Sequence, residues 1–200
     1  MEHETYTTIL KPVSTELVIG RSRFIGHCRE VGDEAAAREF IARIRAGHPQ
    51  ATHNCYAYRI GSGNGVLEYY NDHGEPSGTA GKPILGAIQR LKLTNVAVVV
   101  TRYFGGKKLG VRGLIEAYGA AATLVLETAG TVIRIPRFEV KFCCGYPEQA
   151  QIFYRLQQLE AEVVKTEYGE LVAVEVSIPE AKRGLWEDLQ KEFPQLKNPS

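Results

Sequence analysis

The stretch that decides the fold reads VAVVVTRYFGGKKLGVRG and covers residues 96–113. Its first part predicts a strand over residues 95–103, because a short dense run of valines is typical of a strand buried on both faces. Glycines and lysines then predict a loop over residues 104–110, and an amphipathic pattern predicts a helix over residues 111–127. A buried strand that passes through a glycine-rich loop into a helix indicates a mixed α and β domain that carries function on the loop.

Alternating strand and helix patterns lie on both sides of this stretch. The predicted elements are strands over residues 22–31, 53–60, 66–70 and 131–135 and helices over residues 33–46 and 79–91. Asp33 is expected to cap the first helix, and Ser77 or Thr79 the second. The glycine-rich turn at residues 61–65 is expected to join two strands as a hairpin.

Pro136 marks a change of pattern and predicts a domain boundary. The residues after it predict strand, helix, two strands and helix, and a short final strand near Leu196 would complete a ferredoxin-like βαββαβ unit. We therefore expect a two-domain α+β protein with domains at residues 1–135 and 136–200. The first domain holds 16 Lys and Arg against 12 Asp and Glu, whereas the second holds 8 against 11. Because its net charge is positive, the first domain is the one expected to bind an anion.

The composition excludes several classes of protein. Of the 200 residues 44% are hydrophobic and 24% charged, which is typical of a soluble globular chain and not of a disordered one. No run reaches the roughly 18 apolar residues of a membrane span, and the first residues lack the pattern of a signal peptide. The four cysteines show neither zinc-type nor simple disulfide spacing. We predict a cytoplasmic protein with free thiols and without a metal or other cofactor.

The first candidate site is the loop that follows the valine run. Lys and Arg neutralise phosphates, glycines let the backbone approach a ligand, and aromatic rings stack on bases. The alternative is a solvated loop without a binding function, whose aromatic rings pack in the core. The predicted phosphate- or nucleic-acid-binding residues are Lys82, Arg102, Tyr103, Phe104, Gly105, Gly106, Lys107, Lys108 and Arg112.

The second candidate site is the segment NDHGEPSGTAGKP at residues 71–83, which leads into a helix. Free N–H groups at a helix start, with Lys82 close by, are able to hold an anion. Prolines at positions 76 and 83 exclude a Walker A loop. The alternative is a structural turn that carboxylates and hydroxyls hold in place. The candidate residues of this segment are Asp72, His73, Glu75, Ser77 and Thr79.

Five blocks of the sequence resemble the IMPACT family in its bacterial, YigZ-like form. The blocks are SRFI at 22–25, ATHNCYAYR at 51–59, GEPSGTAGKP at 74–83, VVVTRYFGG at 98–106 and KLG at 108–110. The resemblance covers roughly residues 5–130. It implies a first domain with the fold of ribosomal protein domains and of domain IV of elongation factor G, and a ferredoxin-like tail similar to that factor's domain V.

The resemblance also bears on function. Eukaryotic members of the family regulate translation through a protein partner, and that partner is not carried over to this chain. No catalytic residue is established for the family, so none is assigned. We expect a translation-linked regulator, not an enzyme, that binds RNA or the ribosome through its basic glycine-rich loop.

Two alternative functions stay open. One is an enzyme or binding protein that acts on a small phosphorylated or anionic ligand in a cleft between residues 71–82 and 102–112, which are expected to lie together. The other is a protein-interaction module that binds through the acidic tail domain.

Overall fold

The chain folds into two compact units. The computed structural model describes residues 5–61 and 65–197, and the units divide between Arg134 and Ile135. Each unit has its own cluster of buried apolar side chains. The prediction of a two-domain α+β protein is confirmed. Within the described residues, no helix is both long and apolar enough to cross a membrane.

In the larger unit the described residues form seven strands and three helices. The strands are β1 (Tyr6–Ile9), β2 (Val13–Ile19), β3 (Ser22–Glu30), β4 (His53–Ile60), β5 (Leu67–Asn71), β6 (Val96–Tyr103) and β7 (Thr131–Arg134). The helices are α1 (Glu34–Gly47), α2 (Gly81–Arg90) and α3 (Gly110–Ala129). Five strands make an antiparallel sheet in the order β2-β3-β6-β4-β5, and β1 pairs with β7 in a separate ribbon.

Strand β6 is the centre of this unit because both of its faces are buried. Val96, Val98 and Val100 belong to the apolar cluster that contains α2 and α3. Ala97 and Val99 belong to the cluster that contains α1. Successive side chains of a strand point to opposite faces, so α1 covers one face of the sheet and α2 with α3 cover the other. This arrangement confirms the valine run as a doubly buried strand.

The ends of the predicted elements agree with the structure in part. Asp33 caps α1, and its carboxylate accepts from the backbone N–H of Ala36 at 2.7 Å. Strands β4 and β5 pair antiparallel as the predicted hairpin, although residues 62–64 of the predicted turn lie outside the described residues. Strands β1 and β2 were not among the predicted elements.

In the described part of the smaller unit, two helices pack on one three-stranded antiparallel sheet. Its elements are β8 (Arg137–Cys144), α4 (Tyr146–Gln158), β9 (Glu162–Tyr168), β10 (Val172–Pro179) and α5 (Arg183–Glu192), with 3-10 turns at Glu180–Lys182 and Pro194–Lys197. The strand order is β8-β10-β9. The alternating residues Val172, Val174, Val176 and Ile178 of β10 are all buried in its core.

The predicted final strand near Leu196 is wrong. Residues Pro194–Lys197 form a 3-10 turn that packs beside β8, and the N–H of Leu196 donates to the carbonyl of Phe193 at 3.0 Å. Proline has no N–H for a strand ladder, which favours a turn at this position. Leu196 is 1% exposed, so the tight turn still buries the apolar side chain that suggested a strand.

We predict that residues 1–135 fold without the tail, because β7 pairs with β1 and completes the unit before Ile135. The expressed fragment should unfold in one cooperative transition in urea, followed by circular dichroism. A fragment of residues 13–135 is the matched comparison. It should be less stable, since it loses the 1% exposed Ile9 and the acceptor that the Thr7 carbonyl offers to the Thr94 N–H. A fragment 1–135 without a cooperative transition would contradict the prediction.

Candidate functional site

A buried salt bridge joins the two candidate segments. Nη1 of Arg102 donates to Oε1 of Glu75 at 2.6 Å, and the side chains are 6% and 4% exposed. The hydroxyl of Tyr118 on α3 donates to the same carboxylate oxygen at 2.8 Å. Nη2 of Arg102 donates to the hydroxyl of Ser22 on β3 at 3.3 Å. The segments at 71–82 and 102–112 are therefore in direct contact, as the sequence predicts.

The guanidinium of Arg102 also lies between two aromatic rings. Its central carbon is 5.4 Å from the ring centroid of Phe24 and 5.5 Å from that of Phe104. Phe24 is fully buried, whereas Phe104 is 47% exposed. This geometry corrects the role that the sequence suggested for Arg102. Its charge is matched by Glu75 inside the domain, so Arg102 supports the loop and does not present a charge to a phosphate in solution.

Asp72 occupies the helix start that was expected to hold an anion. Its Oδ1 accepts from the N–H groups of Ala80 and Gly81 at 3.0 and 2.8 Å, and its Oδ2 accepts from that of Gly78 at 2.8 Å. A carboxylate at this place satisfies unpaired N–H groups and complements the helix dipole. The N–H groups of Gly78, Ala80 and Gly81 are therefore taken by the protein itself and are not available to an anion.

The capping role expected of Ser77 or Thr79 is wrong. The hydroxyl of Thr79 donates to the carbonyl of Pro76 at 2.7 Å, and α2 has no side-chain cap at Ala80, the residue directly before it. Ser77 is exposed. Because Asp72 satisfies the first N–H groups from eight and nine residues upstream, the helix begins at Gly81 and not at Thr79.

His73 ties its loop to strand β4. Its carbonyl accepts from Nδ1 of His53 at 2.9 Å, and its own Nδ1 accepts from the N–H of Asn54 at 3.1 Å. Partial burial lowers the pKa of His73, which favours the neutral ring that this acceptor needs. The thiol of Cys55 donates to the carbonyl of Asp72 at 2.9 Å. Backbone contacts thus account for His73, which sequence reasoning had placed among possible ligand-binding groups.

Tyr103 and Phe104 have different environments. The hydroxyl of Tyr103 hydrogen-bonds with Nδ1 of His48 at 2.9 Å, and the guanidinium carbon of Arg23 lies 5.4 Å from its ring centroid. The N–H of Phe104 donates to the hydroxyl of Thr52 at 3.0 Å, and its ring reaches solvent. Of the two predicted stacking residues, Phe104 is the more exposed one.

The remaining predicted binding residues make an exposed surface that we call the basic loop, residues 104–112. Lys107 and Lys108 are exposed, and neither has an ion-pair partner among residues 5–61 and 65–197. Arg112 is also exposed but pairs with Glu116 at 2.9 Å. The exposed members of the original set are Ser77, Lys82, Phe104, Gly106, Lys107, Lys108 and Arg112.

Gly105 fixes the position of the basic loop. A Cβ atom at this position would collide with the backbone carbonyl of Arg21, so only glycine fits there. Its N–H donates to the hydroxyl of Ser22 at 3.2 Å. These contacts bring exposed Arg21, in the turn between β2 and β3, beside the loop. Sequence reasoning missed Arg21, Ser22 and Thr52 because their contacts join segments far apart in the chain.

We predict that breaking the buried pair is costly. Arg102→Met leaves the carboxylate of Glu75 buried without its cation, and the free energy of unfolding should fall by about 3–5 kcal/mol. The double variant Glu75→Gln with Arg102→Met removes both charges and should lose less than the sum of the two single losses, measured by urea unfolding. Arg112→Ala, which breaks an exposed pair, is the control and should change the free energy by less than about 1 kcal/mol. A loss from Arg102→Met as small as the control's would show that the pair is not structurally important.

We also predict a pH dependence of stability from His27. Burial, with a smaller effect of the nearby His48 charge, lowers the pKa of His27 to about 4 from an ordinary value of 6.5. Between these values the unfolded chain binds a proton that the folded chain excludes, so the free energy of unfolding should fall as the pH drops from about 6.5 to 4. His27→Gln should flatten this slope in urea titrations across that range. An unchanged slope would show that other groups cause the dependence.

Comparison with known proteins identifies the family of the chain. The model of the Impact N-terminal domain matches residues 20–126, which contain both candidate segments, and a domain of unknown function, DUF1949, matches residues 143–184. The chain is 38% identical over 189 residues to the IMPACT family member YvyE of Bacillus subtilis, covering 94% of this chain and 87% of that protein. It is 33% identical over 180 residues to the IMPACT family member YigZ of Escherichia coli, covering 90% and 88%.

A solved structure supports the same assignment over nearly the whole chain. A crystal structure of a hypothetical protein aligns with a TM-score of 0.71 and 30% identity, covering 98% of this chain and 95% of that one. Sequence identity and fold agree across both domains. The chain belongs to the IMPACT family, as its sequence blocks predict.

Proposed function

We propose that this chain is a translation-linked regulator that binds RNA or the ribosome through the basic loop. The observation that carries the proposal is the pair of exposed lysines, Lys107 and Lys108, on a glycine-rich loop that is anchored at Gly105. Exposed cations without partners are available to phosphates, and each phosphate contact releases counterions that favour binding. Membership of the IMPACT family supports the link to translation, since regulation of translation is what the family resemblance implies.

The fixed shape of the loop supports the same proposal. The hydroxyls of Thr52 and Ser22 accept from consecutive backbone N–H groups, those of Phe104 and Gly105. A loop that is ordered before it binds loses less conformational entropy on association. The lysines follow two and three residues after the anchored Gly105, which lies against the backbone of exposed Arg21.

The small-anion alternative finds less support in the geometry. Arg102 is paired with Glu75, and the helix N–H groups are paired with Asp72, so the strongest anion-binding groups of that hypothesis are occupied. Lys82 and Ser77 remain exposed. The protein-interaction alternative concerns the tail domain and stays a prediction about that unit alone.

The variant Lys107→Ala with Lys108→Ala tests the proposal. It should weaken binding to RNA or purified ribosomes across sequences, because two phosphate contacts are lost. The slope of log affinity against log salt should flatten by about 1.4, at about 0.7 per phosphate contact on a single strand. Adding Arg112→Ala should have a smaller effect, since Glu116 already neutralises that charge. Filter binding and ribosome sedimentation over a salt series give both quantities.

The control removes the same net charge elsewhere in the same domain. Lys11 and Lys92 are both exposed, so Lys11→Ala with Lys92→Ala changes the total charge equally without touching the basic loop. Both double variants should keep the parent's free energy of unfolding to within about 0.5 kcal/mol. Equal loss of binding in the two double variants would indicate attraction by net charge, and no loss in either would exclude the basic loop as the binding surface.

A further inference from the structure

Phe104 is an exposed aromatic side chain, 47% exposed, that is in contact with a buried guanidinium. The guanidinium carbon of Arg102 lies 5.5 Å from the ring centroid of Phe104 and 5.4 Å from that of Phe24. Glu75 holds Arg102 in place at 2.6 Å. Arg102 therefore supports the ring of Phe104 from inside the domain, and the exposed part of that ring is available to a ligand.

The chemistry around the ring points to a nucleic acid more than to a protein. Lys107 and Lys108 follow within four residues, so at about 3.3–3.6 Å per residue they lie within roughly 14 Å of Phe104 along the chain. Exposed aromatic residues are also common in protein–protein interfaces, but lysine is depleted in the buried centres of those interfaces. An aromatic face beside unpaired lysines is the combination that single-stranded nucleic acid uses, with bases on the rings and phosphates on the cations.

We infer that the exposed part of the Phe104 ring stacks on an unpaired base, so that the ligand of the basic loop is single-stranded RNA or a single-stranded segment of a larger RNA. This inference rests on the proposed function. In a duplex the faces of each base are covered by neighbouring pairs, whereas unpaired bases are free to stack on protein rings. Tyr103 does not share this role, because its ring is less exposed than that of Phe104 and its hydroxyl is bonded to His48.

Binding of defined RNAs to the full chain tests the inference. The probes are a fluorescent single strand of 12 nucleotides and a blunt-ended duplex of the same strand with its complement, which offers no unpaired base. The parent should bind the single strand more tightly. Phe104→Leu, which keeps an apolar side chain without a π face, should weaken that binding about tenfold and leave the salt slope unchanged. Phe104→Trp should bind at least as well as the parent.

The Phe104→Trp variant gives a direct readout of stacking. The native Trp186 is 4% exposed and belongs to the core of the smaller unit, so a change in fluorescence on binding should come from the new side chain. An RNA should quench it, whereas an abasic strand of the same length should bind more weakly and quench little. Ile133→Ala is the matched control, because Ile133 is an exposed apolar residue of the same unit outside the basic loop.

Each outcome has a distinct meaning. Parent-like binding by Phe104→Leu, equal quenching by the abasic strand, or equal affinity for the duplex would overturn the stacking inference. If the salt slope still responded to the Lys107 and Lys108 changes, the proposed function would stand without it. Binding of ribosomes but of no single-stranded RNA would overturn the inference alone, and binding of neither would overturn both. Thermal unfolding of every variant checks that the fold is kept, and the tryptophan variant decides the question if the smaller side chain destabilises the loop.

Discussion

The salt bridge between Glu75 and Arg102 is the interaction on which the larger domain is organised. It joins the loop before α2 to the end of β6, and its other partners come from α3 and β3 through Tyr118 and Ser22. Charges buried this deeply are tolerated only when each has its counter-charge and further hydrogen bonds. The two sequence blocks that contain Glu75 and Arg102 therefore act as one physical unit, although 27 residues separate them in the chain.

This pairing divides the charges of the glycine-rich segment into two groups. Arg102 is on the strand, where alternation places it on the same face as Val98 and Val100, towards α2 and α3. Lys107 and Lys108 come after the strand has ended, and they are exposed. One charge of the segment thus fixes the loop, and the following charges are left for a ligand. A motif that looks uniformly basic in the sequence has two separate roles in the fold.

Sequence patterns predicted the parts of this arrangement that depend on local rules. The valine run, the cap at Asp33 and the switch of pattern at Pro136 each reflect periodicity or turn chemistry within a few residues. Long-range pairs were harder. The start of α2 was predicted two residues early because its cap comes from Asp72, which a window around Thr79 does not reach. The final strand predicted near Leu196 was wrong, although Pro194 signals a turn and not a strand at this place.

The inward position of Arg102 was within reach of the sequence. Positions 96, 98, 100 and 102 share one face of a strand, and three of them are valine, so the fourth should also point into the core. A buried arginine requires a buried carboxylate, and Glu75 lies in the other candidate segment. The sequence alone could not show whether Glu75 or Asp72 pairs with the arginine, because both residues lie in the same loop. Only the fold assigns Asp72 to the helix start and Glu75 to the arginine, and that assignment fixes Arg102 beside Phe104, whose ring stays 47% exposed.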